Sequence, residues 1–133
     1  MFTLFVPLGG GAPDELIQFE PSEEFEVCRL RAAYRDQVID LMAPDYFQAL
    51  RQVRSIMALT GLSPLCYGAS LDVYYIHNGE QVGKGLIVHR LVMGREASEA
   101  DMLETFGTGP DVCPATVVDQ QKYYQQWLLS VRT

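Results

Sequence analysis

The sequence predicts an α+β fold: a small antiparallel sheet containing a β-hairpin over about residues 71–93, with several α-helices packed against it, in one globular domain spanning 1–133. Three observations lead there. Residues 71–77 and 86–93 are rich in β-branched and aromatic side chains and flank an Asn78-Gly79 pair, the favoured centre of a type I′ turn. The stretches before and after them repeat apolar residues at helical spacing. With 133 residues, 48% of them hydrophobic and 20% charged, the chain is long enough and apolar enough for one core.

Taken in order, residues 1–8 read as a first strand stopped by Pro7 and the glycines that follow, and residues 9–13 as a turn-rich break leading into a short helix over 14–18. Pro21-Ser-Glu-Glu carries a helix-start signature, with Ser22 as N-cap and acids at the positive end of the dipole. A long helix is expected from there to about residue 41, since Val27, Leu30, Tyr34, Val38 and Leu41 recur every three or four residues. A strand over Phe25-Glu-Val-Cys-Arg-Leu-Arg31 is set aside because its apolar residues do not alternate cleanly. Ala43-Pro44 ends that helix, and Pro44-Asp45 opens another. Its face is Tyr46, Leu50, Val53 and Met57, with Arg51 and Arg54 on the flank and Gly61 as its stop. After the hairpin, Ser98 starts a short helix closed by Gly107, Gly109-Pro110 makes a loop, and residues 116–131 form a last helix with Tyr124, Trp127, Leu128 and Val131 on one face.

The glycines of His77-Asn-Gly-Glu-Gln-Val-Gly-Lys-Gly85 do not make a phosphate-binding loop. Gly79 to Gly83 is one residue short of the required spacing, Gly85 stands where Ser or Thr should coordinate magnesium, and a strand-like run follows instead of a helix. A tight hairpin with a bend at Gly83 and Gly85 fits the residues better, leaving Lys84 free to meet an anion.

The formal charge of −7 disfavours nucleic acid and anionic lipid as partners. It is unevenly spread: nine acids against three bases in residues 1–45, two against five in 46–95, and six against two in 96–133, which concentrates the negative field near the start of the chain. No run approaches the ~20 apolar residues of a membrane span. The opening residues lack the basic lead-in of a secretory signal. Cys28, Cys66 and Cys113 are widely separated and odd in number, the pattern of reduced thiols in a cytoplasmic protein.

No catalytic motif is assembled in the sequence, so no catalytic, metal or cofactor-binding residue is assigned and the reading leans away from an enzyme. Two histidines without a third ligand make a poor zinc site, and Ser70 lacks a nucleophile elbow. The leading expectation is a small acidic protein-binding module, an inhibitor of immunity, antitoxin or anti-defence type that covers a basic partner surface with Asp14, Glu15, Glu20, Glu23 and Glu24. The alternative is a small enzyme or ligand binder in which His77, His89, Cys66 and Cys113 converge with carboxylates in a pocket. A second alternative is a homo-oligomeric subunit with its self-interface on the strand at 86–93 or on the last helix. The aromatic cluster Tyr123, Tyr124 and Trp127 is read as core packing first and a partner-facing patch second.

Overall fold

The computed structural model describes residues 2–76 and 82–132, without the side chains of 82 and 83. It is built on a curled antiparallel sheet of five strands in the order β4-β3-β2-β1-β5. The strands are β1 (Leu4–Gly9), β2 (Leu16–Glu24), β3 (Val27–Tyr34), β4 (Gln37–Ala43) and β5 (Ser63–Pro64). Helix α1 (Tyr46–Ala58) packs on β3 and β4. A second antiparallel sheet has the order β6-β7-β8, from β6 (Val73–Tyr74), β7 (Ile87–Arg90) and β8 (Met102–Glu104), and α2 (Val117–Ser130) closes the chain against it. No helix among the described residues is long and apolar enough to cross a membrane.

The α+β class and the antiparallel pairing agree with the sequence, but the several helices do not: the described residues hold two α-helices. The largest correction is residues 22–41, where the expected long helix is the β2–β3–β4 meander. The side chains that reach the core from β3 are Cys28, Leu30, Ala32 and Tyr34, a strict alternation that becomes visible once a cysteine and an alanine are counted as core residues. Arg29, Arg31 and Ala33 occupy the other face. Two-residue turns join these strands, with Phe25 and Glu26 at φ 52° and 67° and Arg35 and Asp36 at φ 47° and 61°. Neither turn carries the Asn or Gly that normally marks a type I′ turn, so neither shows in the sequence. Pro21 is tolerated in β2 because it lies past the last described pair with β1, Leu4 with Phe19, where no N–H is called for.

The short helix expected over 14–18 is also strand, because Ile17 and Phe19 alternate into the core from β2. Ser98 does cap as expected, with its box closed by Asp101, yet only a single 3-10 turn (Glu99–Asp101) follows before Met102–Glu104 pairs with β7. Local start signals persist, and strand pairing overrides what comes after them.

Helix α1 follows its sequence signals closely. Asp45 accepts the Gln48 amide at 2.8 Å as N-cap, and Gly61 turns the chain at φ +74° while Leu62 N–H reaches back to Met57 O. Tyr46, Leu50, Val53 and Met57 are all buried as expected; Arg54 is not on the flank but buried with them. The antiparallel pairing of the two predicted strands survives as β6–β7, Val73 with Arg90 and Tyr74 with His89, but the strands are shorter than 71–77 and 86–93, the register is not that of a two-residue turn at 78 and 79, and a 3-10 turn (Val82–Gly85) replaces the expected bend. The Asn78-Gly79 pair itself lies outside the described residues. Gly85, at φ +87°, sits where any Cβ would come within 2.8 Å of the Phe47 amide nitrogen, so this glycine lets the chain press on the start of α1.

Candidate functional site

The β2–β3 hairpin ends in Glu23-Glu24-Phe25-Glu26, closed by the pair Glu24 with Val27. Phe25 is 99% exposed, the most exposed large apolar side chain described, and its backbone is left-handed. A left-handed β-carbon costs a non-glycine residue roughly 1–2 kcal/mol. Full exposure of the ring returns nothing to folding. Around it, Glu23 is exposed and sits 3.3 Å from Lys84 Nζ, while Glu26 is exposed and makes no ion pair with any described residue. Glu24 accepts from Arg29 Nη1 at 2.8 Å. The same Arg29 holds Asp40 in a two-pronged contact at 2.8 and 2.6 Å, which keeps the Asp40 carboxyl below its ordinary pKa. Glu23, Glu24, Glu26 and Asp40 thus outnumber Arg29 and Lys84, and the tip is an aromatic ring in a negative surround.

The other acids assigned to a partner surface lie elsewhere. Glu15 is gripped by Arg35 through two hydrogen bonds of 2.8 Å and also accepts the Ala12 amide, so its carboxyl is held down at about 2. Asp14 is exposed beside it, and Glu20 sits midway along β2 within 3.6 Å of Arg31. Strand β2 spans roughly 26 Å at ~3.3 Å per residue, so Glu15 and Glu24 are at opposite ends of the sheet. The structure therefore brings Glu23 and Glu24 together with Phe25 and Glu26, neither of which the sequence assigned to a partner surface, and leaves Asp14 and Glu15 apart. A lone aromatic in an acidic run was the available signal.

Among the described residues, the candidates for the enzymatic alternative form no common cluster. Cys66 is fully buried, and burial pushes its thiol up to about 12. Cys113 is exposed, its amide donating to Ser70 Oγ. His89, on β7, is half-buried with Nδ1 bonded to no described residue; burial lowers its pKa, opposed by Asp101. His77 lies outside the described residues. No hydrogen bond joins the described three, and no described cluster of His, Cys, Asp and Glu is arranged to hold a metal. The aromatic trio packs inward: Trp127 is buried and donates to Arg95 O at 2.9 Å, and Tyr124 stacks on Tyr74 with centroids 4.0 Å apart.

A buried polar pair, invisible in the sequence, ties the halves together. Arg54 on α1 donates to Gln120 Oε1 at 2.6 Å and to Ala115 O at 2.8 Å; Gln120 Nε2 lies 2.9 Å from each of the carbonyls of Gly68, Ser70 and Val73. Carbonyl dipoles rather than a carboxylate surround this guanidinium, and burial draws its pKa down to about 10. A groove of about 500 Å³ runs beside it, walled mainly by Ala58, Leu62, Pro114, Val117 and Val118. Arg54 is already engaged with protein carbonyls, which leaves Ser55, Ser63 and Thr116 as the other polar side chains lining the groove.

No protein-family model matches the chain, and no curated protein matches it in sequence.

Proposed function

We propose that this chain is a protein-binding module whose β2–β3 tip inserts Phe25 into a basic surface of another protein, in the manner of an inhibitor of immunity or antitoxin type. The observation that carries this reading is Phe25: an aromatic ring 99% exposed on a left-handed backbone, among Glu23, Glu24 and Glu26. The left-handed backbone closes the hairpin, but nothing in that turn calls for a large aromatic ring, and a costly side chain with no folding return marks a site kept for another purpose. Aromatic anchors dominate interface energies, and charges around an anchor speed encounter with an oppositely charged surface. Capture of a basic protein from the source organism, followed by binding kinetics, tests it. Phe25→Ala is expected to weaken the complex by about 2 kcal/mol, roughly 30-fold and mainly in the off-rate, on the scale of an interface hot spot. Glu23→Lys with Glu24→Lys slows association and flattens its salt dependence. A partner bound equally well by the Phe25→Ala protein removes the tip from consideration.

A further inference from the structure

The five-stranded sheet has two edges, and they are not alike. One is β5, two residues long and ending in Pro64, which has no N–H to offer. The other is β4, seven residues with no proline and no lysine, paired on one side only among the described residues. In a two-residue hairpin the closing pair, here Tyr34 with Gln37, exchanges hydrogen bonds; alternation then gives the β3 bonds to Gln37, Ile39 and Leu41. The N–H and C=O groups of Val38, Asp40 and Met42 point away from β3, and none of them bonds elsewhere in the described structure.

We infer that β4 is a self-association edge, on which a second copy of this chain pairs its own β4 antiparallel about a two-fold axis at Asp40. Three features select a second copy. Setting Asp40 opposite Asp40 places Val38 opposite Met42 of the other copy, so every free N–H and C=O of the three residues on each strand finds a partner; a shift of register leaves some unused. The side chains match as well: Val38 and Met42, 51% and 49% exposed, cover each other across the two-fold on the outer face, and Ile39 meets Leu41 on the inner one. The only charge on the strand, Asp40, is held by the two-pronged contact with Arg29, which Glu24 shares, and faces Arg31 on β3, so the central pair is not a bare repulsion of two carboxylates. Strand β7, where the sequence placed a self-interface, lies between β6 and β8 with both sides taken.

Sedimentation equilibrium at physiological salt, where the charge of −7 is screened over ~8 Å, tests the dimer together with amide hydrogen exchange. The intact chain is expected to dimerise, with the Val38, Asp40 and Met42 amides gaining protection as concentration rises. Val38→Pro removes an N–H that β3 does not use, and Met42→Lys places a charge in the apolar contact. Each should weaken self-association by about tenfold or more with little change in melting temperature. If Val38→Pro fails to fold, Met42→Lys decides. A protein that stays monomeric up to its solubility limit overturns the inference and leaves the edge to a strand of a different protein; a dimer that survives both substitutions overturns it by placing the contact elsewhere. Both variants leave Phe25 untouched.

Discussion

Strand β3 carries the same backbone device at each end, and the two copies are used differently. At Arg35-Asp36 both residues are left-handed, and Arg35 folds back onto Glu15 through two hydrogen bonds of 2.8 Å, tying the β3–β4 turn to the start of β2. At Phe25-Glu26 both are left-handed again, yet Phe25 stands in solvent and Glu26 pairs with no described residue. The turns differ at their first residue: Arg35 is answered by an internal contact and Phe25 by none, while Asp36 and Glu26 alike pair with no described residue, and it is this unanswered ring on which the proposed function rests.

The contrast disappears altogether if their common support is removed. Leu30, fully buried on β3, is expected to lose about 3 kcal/mol on truncation to Ala, within the usual range for a core leucine. Thermal unfolding should show it, with amides of both hairpins exchanging faster; a loss confined to one hairpin would show that the two do not share this core. A double change of Phe25→Asn with Glu26→Gly separates the ends more selectively. It supplies the residues a type I′ turn favours, and should stabilise the fold by about 1–2 kcal/mol while weakening partner binding at least as much as Phe25→Ala, roughly 30-fold. Unchanged or lower stability would mean that the left-handed pair carries no strain. Arg35→Ala should give the smallest change in melting temperature of the set, its ion pair being exposed, and faster exchange only near the β3–β4 turn.

Acid probes that same turn without mutation. The Glu15 carboxyl is depressed from 4.5 to about 2, so the stability it contributes is complete above its ordinary pKa and is lost as pH falls from about 4.5 towards 2. Reduced protection of the Tyr34 and Gln37 amides, the closing pair of that turn, over that window, absent in Arg35→Ala, is the expected result. Equal acid sensitivity in the variant would take Arg35 out of the account.

What was legible in the sequence was local. Asp45 and Gly61 bracket α1, Thr116 caps α2 by accepting the Asp119 amide, and the apolar periodicity between each pair of ends is helical. In 22–41 the same periodicity misled: Val27, Leu30, Tyr34, Val38 and Leu41 fit a helix face, whereas the core takes Cys28, Leu30, Ala32 and Tyr34. Small side chains at alternate positions barely register as hydrophobic, and turns built without Asn or Gly leave no mark. The acidic run at Glu23-Glu24 was visible as charge, but its isolation from Asp14 and Glu15 depends on strand length and direction.

By itself the sequence determined the α+β class, the two helices with their ends, the first strand and the negative balance of the amino-terminal third, all of them consequences of neighbours a few residues apart. Only the tertiary structure decided that residues 16–43 become a meander, that Arg54 is buried against Gln120, and that Phe25 is left in water. Those outcomes depend on which strands meet and which carbonyls converge, across separations such as the 66 positions between Arg54 and Gln120, and no local pattern encodes them.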